Sequence, residues 1–191
     1  VDLIAERAGV NKAMIYYHFR SKRGLYQSVL LQLFKGGLEE AVRQAEREKD
    51  PRRRLIAFYG EVARVFAART ALPHLILREI LAGGKNMAPA TARNLVALLE
   101  FVARTLKQGV EEGRLRPVNP LIVHISAIAP LLLFFASQGF RSRMASLIPE
   151  GIVLPAPEEM LEHVASLIER GLTPSPVGRE AEGGAPDTHS S

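Results

Sequence analysis

Residues 2–26, DLIAERAGVNKAMIYYHFRSKRGLY, decide how the rest of the chain is read. Val1, Ile4, Ala5 and Ala8 recur at helical spacing, and Gly9 breaks the pattern, since glycine tolerates the left-handed backbone of a helix end. Asn11 is a good N-cap for a second helix running to about Phe19, because its side-chain oxygen can accept from a first-turn amide. Ser21 caps a third helix from Lys22, where Leu25, Val29 and Leu33 recur every four residues. Gly36-Gly37 weakens that helix, but no proline appears before Pro51, so it is expected to continue to about Lys49. Two short helices joined by a tight glycine turn make a helix-turn-helix. Ala5 is small where the two would cross, and Ile15 and Phe19 face inward. Ala13, Met14 and Tyr17 then face outward, flanked by Lys12 and Tyr16.

An exposed face of that kind, beside Lys22 and Arg23, suits nucleic acid. Side chains near the helix N-terminus reach base edges, while tyrosine hydroxyls, His18 and lysines hold phosphates. Lysine donates to guanine acceptors and apolar groups touch the thymine methyl, which makes Lys12, Ala13 and Met14 the base-reading candidates. Tyr16, Tyr17, His18 and Lys22 are the phosphate-side candidates. The plainer alternative is a packed aromatic cluster of Tyr16, Tyr17 and His18, with Met14 an exposed gap-filler.

Charge is concentrated in the same place. Residues 1–37 hold six basic groups (Arg7, Lys12, Arg20, Lys22, Arg23 and Lys35) against Asp2 and Glu6, a net of +4 out of a formal +5 for all 191 residues. The head is basic and the remainder nearly neutral, which points to nucleic acid or an anionic surface as the partner of the head. Cysteine is absent, which excludes a disulfide framework, a thiolate metal site and a cysteine nucleophile. Hydrophobic residues make up 47% and charged residues 24%, an ordinary globular balance. The start lacks the basic and apolar regions of a signal peptide. Leu121–Ser137, LIVHISAIAPLLLFFAS, contains His124 and Pro130 and falls short of the roughly 20 apolar residues a spanning helix needs. It reads as a buried helix, and no membrane partner is expected.

The body reads as helices throughout, without strand-like alternation or hairpin dipeptides. Asp50-Pro51 and Asn119-Pro120 each place a cap before a proline at the first helical position. The first opens a helix presenting Leu55, Phe58, Tyr59, Val62 and Phe66. ALPHLILREILAGG follows as a short helix ending at Gly83-Gly84. Pro89 opens a long helix closed near Gly113. The helix after Asn119 carries Pro130 inside it, where a kink is expected. A proline-rich connector leads to a last helix, about Glu158 to Arg170. From Thr173 the segment TPSPVGREAEGGAPDTHSS has almost no apolar content and reads as disordered.

The opening segment resembles the DNA-binding head of the TetR/AcrR family of bacterial transcriptional regulators. Ile4-Ala5-Glu6-Arg7-Ala8-Gly9-Val10 fills the family's I-A-x-x-A-G-V turn. Tyr16-Tyr17-His18-Phe19 fills its Y-x-H-F box, and Ser21-Lys22 the following S/N-K. GRLRPVNP at 113–120 and LREILAGG at 77–84 are similar to body segments of some members. The resemblance implies an all-α fold with a helix-turn-helix head at 1–37, a helical regulatory and dimerisation domain at 38–172 and a tail at 173–191. On the same resemblance the chain starts inside the family's second helix, without the first. It further implies a cytoplasmic homodimer built through the 119–138 and 158–171 helices. That dimer binds a pseudo-palindromic operator in double-stranded DNA, most simply as a repressor released by a small apolar effector.

A pocket for such an effector needs a few polar groups in an apolar wall. His74, Arg78 and His124 sit among apolar neighbours and are candidates, as is Glu79, although Arg78 and Glu79 could equally serve a partner helix or solvent. Phe101 and Phe134 are the aromatic candidates for the wall, with plain core as their ordinary reading. The histidines show no pairing of metal-ligand type, and neither a metal nor a cofactor is expected. No G-x-S-x-G, Walker A or H-E-x-x-H is present, so an enzyme is not expected. The competing class is a helical small-molecule-binding or scaffold protein whose basic head makes non-specific DNA or protein contacts.

Overall fold

Caps and prolines start the helices where the sequence implies. Side-chain oxygens of Asn11, Ser21, Asp50 and Asn119 accept from the amides of Ala13, Gly24, Arg53 and Leu121, each satisfying one orphan donor of a first turn. The structure, a computed structural model, describes residues 1–174. Its helices are α1 (Asp2–Ala8), α2 (Lys12–Phe19), α3 (Lys22–Phe34), α4 (Gly37–Ala45), α5 (Pro51–Ala68), α6 (Ala71–Leu81), α7 (Pro89–Glu111), α8 (Pro120–Ala136), α9 (Gln138–Met144) and α10 (Pro157–Leu172), with one 3₁₀ turn at Ala145–Leu147. Among the described residues there is no strand. The tail expected from Thr173 lies, apart from Thr173 and Pro174, outside the described residues.

The single helix expected from Lys22 to about Lys49 is two helices. Lys35 turns extended at φ −68°, ψ 138°, and Gly36 takes φ 83°, a left-handed conformation that costs glycine little and other residues about 1–2 kcal/mol. The break is held from a distance. The Arg69 guanidinium, at the end of α5, donates to the carbonyls of Leu33 and Lys35, which α3 leaves without intrahelical partners.

Helix α5 is the axis of the body. Leu55, Phe58, Tyr59, Val62 and Phe66 are each at most 1% exposed, and α5 packs against α4, α7, α8 and α10. Full burial of such side chains stabilises by roughly 1.5–3 kcal/mol apiece. Val164, Ile168 and Leu172 of α10 and Val123, Ala127 and Leu131 of α8 close the same core. The core takes in Leu30 and Phe34 of α3 but neither Ala5 nor Ile15. Contacts from the head reach the body through α3, which touches α6 and α7. Helix α8 runs unbroken through Pro130. Among the described residues no single helix is long and apolar enough to cross a membrane; α8 and the segment to Leu147 reach that hydropathy only together, bent by 57°.

Candidate functional site

In the head, Gly9 takes φ 64° and ends α1, its amide bonding back to Glu6. Helix α2 follows at once, with Ala5 and Ile15 buried between the helices and Phe19 half-buried. Gly24 sits against the end of α2: a Cβ there would lie 2.1 Å from the Phe19 carbonyl oxygen. The turn between α2 and α3 therefore has room for hydrogen only.

The outward face of α2 carries Lys12, Ala13, Met14, Tyr16, Tyr17 and His18, all exposed, with Lys22 exposed at the start of α3. Tyr17 stands 83% exposed, its ring edge-on to His18 at 5.3 Å between centroids. That exposure excludes the packed-cluster alternative for Tyr17. Lys12 is not free: its ammonium lies 2.6 Å from the Asp2 carboxylate. The carboxylate raises the lysine pKa, and the ammonium holds Asp2 below the usual carboxylate range. Lys22 has no ion pair among the described residues.

Behind the head lies a cavity of about 370 Å³ between α3, α4, α5, α6, α7 and α8. Its walls are almost wholly apolar, with Phe34, Phe58, Phe66 and Leu132 deep inside and Glu79 and His124 the polar exceptions. Ile80, Val96 and Ile125 also line it while remaining 60%, 55% and 52% exposed, so they mark its mouth. Of the candidates for a pocket wall, only His124 and Glu79 lie here. Phe101 lies outside the cavity lining, its ring tilted against Phe58 at 5.0 Å between centroids. His74 and Arg78 line a separate surface groove with Leu77, Leu81 and Leu133. Phe134 lies under the Arg141 guanidinium, 4.0 Å from its centroid, in another cleft. Helical distance separates them: on α6, Leu72, Ile76 and Glu79 share the inner face that His74 and Arg78 leave.

Glu79 also anchors the head. Its carboxylate, in a residue only 1% exposed, accepts from the Tyr26 hydroxyl of α3 at 2.7 Å and from the backbone and side-chain amides of Asn86 at 3.3 Å. Burial opposes its ionised form, and the Tyr26 and Asn86 donors outweigh that, holding the carboxyl below its usual range. Burial and the same bond push the Tyr26 hydroxyl up to about 12. The Arg78 guanidinium lies 5.4 Å from the Tyr26 ring centroid. Arg23 donates to the Lys85 carbonyl at 2.8 Å and Gln27 to the Asn86 carbonyl at 3.1 Å. The 82–88 turn thus holds α3 by two side chains, Arg23 and Gln27, and Glu79 of α6 holds it by a third, Tyr26. Sequence reading missed Tyr26, Gln27 and Asn86 altogether.

Beside Ile125 at the cavity mouth, α8 leaves Leu121, Ile122 and Leu133 exposed as well. The apolar residues Val164, Ile168 and Leu172 of α10 are buried in the chain's own body, and only Leu167, 44% exposed, joins the α8 face.

Residues 1–29 match the family model for bacterial regulatory proteins of the tetR family. The head is similar to the DNA-binding head of that family. The HTH-type transcriptional regulator RutR of Escherichia coli (strain K12) is 29% identical over 178 residues, spanning 91% of this chain and 81% of RutR. The TetR-family regulator PfmR from Thermus thermophilus is 25% identical with a TM-score of 0.60, over 87% of this chain and 85% of PfmR. A TetR/AcrR-family regulator from Thermobifida fusca shares the fold at a TM-score of 0.60 and 22% identity, over 88% of this chain and 84% of its own. These relatives are transcriptional regulators, and the match of the head together with the shared fold supports a DNA-binding regulator with a helix-turn-helix head on a helical domain.

Proposed function

We propose that the chain is a homodimeric repressor of the cytoplasm, released from its operator by a small apolar molecule bound in the cavity behind the head. One observation carries the ligand response: Glu79 belongs at once to the cavity wall and to the bond that anchors α3. A molecule that displaces Glu79, or Met87 on the same wall, loosens the 82–88 turn and with it the holds of Arg23, Tyr26 and Gln27. Its leverage is limited to its differential affinity for the two states, typically about 1–3 kcal/mol.

The exposed face of α2 supports the DNA reading. Lys12, Ala13 and Met14 stand near the helix N-terminus, where side chains reach base edges in the major groove. Tyr16, Tyr17, His18 and Lys22 flank them as phosphate contacts. In a two-fold dimer paired through α8 and Leu167, two such helices enter successive grooves about 34–36 Å apart for a helix-turn-helix pair.

The test is binding to the intergenic DNA beside the chain's own gene, against scrambled competitor at two salt concentrations. Selectivity of about 10³-fold or more supports the regulator. Equal loss to competitor, with a steep salt dependence, sinks it in favour of non-specific coating. Tyr26→Phe and Lys22→Ala separate the parts. The first is expected to weaken operator binding at an unchanged salt slope, because Tyr26 touches the body. The second lowers affinity for all sequences and flattens the slope by about one.

A further inference from the structure

We propose that the cavity selects a neutral, apolar molecule with one hydrogen-bond acceptor (a ketone, ester or amide), and that the imidazole Nε2–H of His124 holds that acceptor. This rests on the reading of the cavity as the effector site.

The argument begins with Tyr59, whose side chain is fully buried. Its hydroxyl has one partner among the described residues, His124 Nδ1 at 3.1 Å. Were the imidazole proton on Nδ1, it would point at the tyrosine oxygen and leave the buried O–H without an acceptor, the costlier arrangement. The hydroxyl therefore donates to Nδ1, and the proton of the neutral ring sits on Nε2. Burial lowers the His124 pKa and favours that neutral ring. Nε2 has no hydrogen-bond partner among the described residues, yet it is not one of the sealed, unpaired buried atoms. His124 lines the cavity beside Phe58, Ile128 and Leu132, and Nε2 is the ring nitrogen left to meet a ligand there.

A lone donor in such a wall discriminates: a hydrocarbon leaves it unpaired, and an acceptor at the right place pairs it. Charge narrows the class further. No lysine or arginine lines the cavity, so a carboxylate would be buried without a counter-charge and beside ionised Glu79. An amine gains little from Glu79, whose two oxygens already accept from Tyr26 and Asn86. The volume of about 370 Å³ corresponds to the liquid volume of roughly a dozen waters, which suits a ligand of about that many non-hydrogen atoms.

Four probes of matched size test this by titration calorimetry on the full chain near neutral pH: butyrophenone, pentylbenzene, phenylbutanoate and phenylbutylamine. Butyrophenone is expected to bind about tenfold more tightly than pentylbenzene, the worth of one good hydrogen bond, and the acid and the amine more weakly than the ketone. His124→Leu brings the ketone-to-hydrocarbon ratio close to one while pentylbenzene still binds, which reports an intact cavity. His124→Gln, whose amide can donate, restores part of the ratio. Should the leucine variant not fold, the ¹⁵N tautomer of His124 decides: a proton on Nε2 supports the proposal and one on Nδ1 overturns it. The proposal is also overturned by equal affinities for ketone and hydrocarbon, by a ratio unchanged in His124→Leu, or by tightest binding of the acid or amine. Butyrophenone that binds selectively but leaves operator affinity unchanged upholds the recognition and overturns the effector reading. Operator release by another apolar compound, with none of the four bound, does the reverse.

Discussion

Lys12, the first residue of α2, is held by Asp2 at 2.6 Å. On the proposed reading, DNA must compete with that carboxylate for the ammonium. Asp2→Asn is therefore expected to tighten binding to all DNA a few-fold and to steepen the salt dependence by about one phosphate contact, measured by fluorescence anisotropy across a salt series. A looser complex would mean that the pair orients Lys12 instead of withholding it. Glu79 sets a second expectation at this scale. Its carboxyl titrates below the ordinary value of 4.5 in the folded chain. As pH falls, the unfolded chain takes up that proton first. The stabilisation is thus fully present above about 4.5 and is lost as pH drops through the lower folded value. Denaturant melts of wild type and Glu79→Gln across that range should diverge, with the variant's acid limb the flatter. Glu79 was partly legible in the sequence: it falls on the stripe of Leu72 and Ile76, a charge on a buried face. Its partner was not, because Tyr26 lies 53 residues away and nothing local marks it.

Among the elements, the α2–α3 turn and the α3–α4 break show what local sequence does and does not specify. Ser21 was legible as a cap, and its bond to the Gly24 amide is made. That Gly24 must be glycine is a matter of space, visible only once α2 and α3 are placed. Gly24→Ala drives its Cβ into a backbone carbonyl that has no rotamer to move. It should cost the head about 1–3 kcal/mol, the usual range for overpacking, and hydrogen exchange over α2 should speed up while the amides of α5 stay protected. The break at Gly36 followed a different logic. Helical periodicity continues across it, so the pattern alone favours one long helix. Arg69, which ties off the carbonyls of Leu33 and Lys35, decides for two. The cavity was illegible for a related reason: its apolar lining residues come from six helices and the turn after α6, and are the same residue types as the core. Only His124 and Glu79 stand out from it chemically.

For the whole molecule, the distribution of exposed apolar surface is the feature to explain. Helix α8 presents Ile122, Ile125 and Leu133 outward, whereas α10 buries most of its apolar side chains in its own body. The proposed dimer therefore depends on α8 more than on α10. Ile122→Glu places a charge in the centre of that face and is expected to give monomers in sedimentation velocity with little change in melting temperature of the subunit. The monomer should lose operator selectivity, since one head reads only half a site. Sedimentation unchanged by the glutamate would remove α8 from the interface.

The mouth of the cavity, framed by Ile80, Val96 and Ile125, bears on what the protein would count. Molecules that pass such an entrance gain free energy by leaving water, about 25 cal/mol for each Å² of apolar surface removed, and they gain it equally on entering a bilayer. On the proposed effector reading, lipid is then a reservoir in exchange with the protein, and occupancy would follow the partition equilibrium instead of the total amount of compound supplied. Adding vesicles to a release assay at constant total ligand should shift the dose curve to the right in proportion to lipid volume. A growing cell that changes its membrane area would shift its own threshold in the same way.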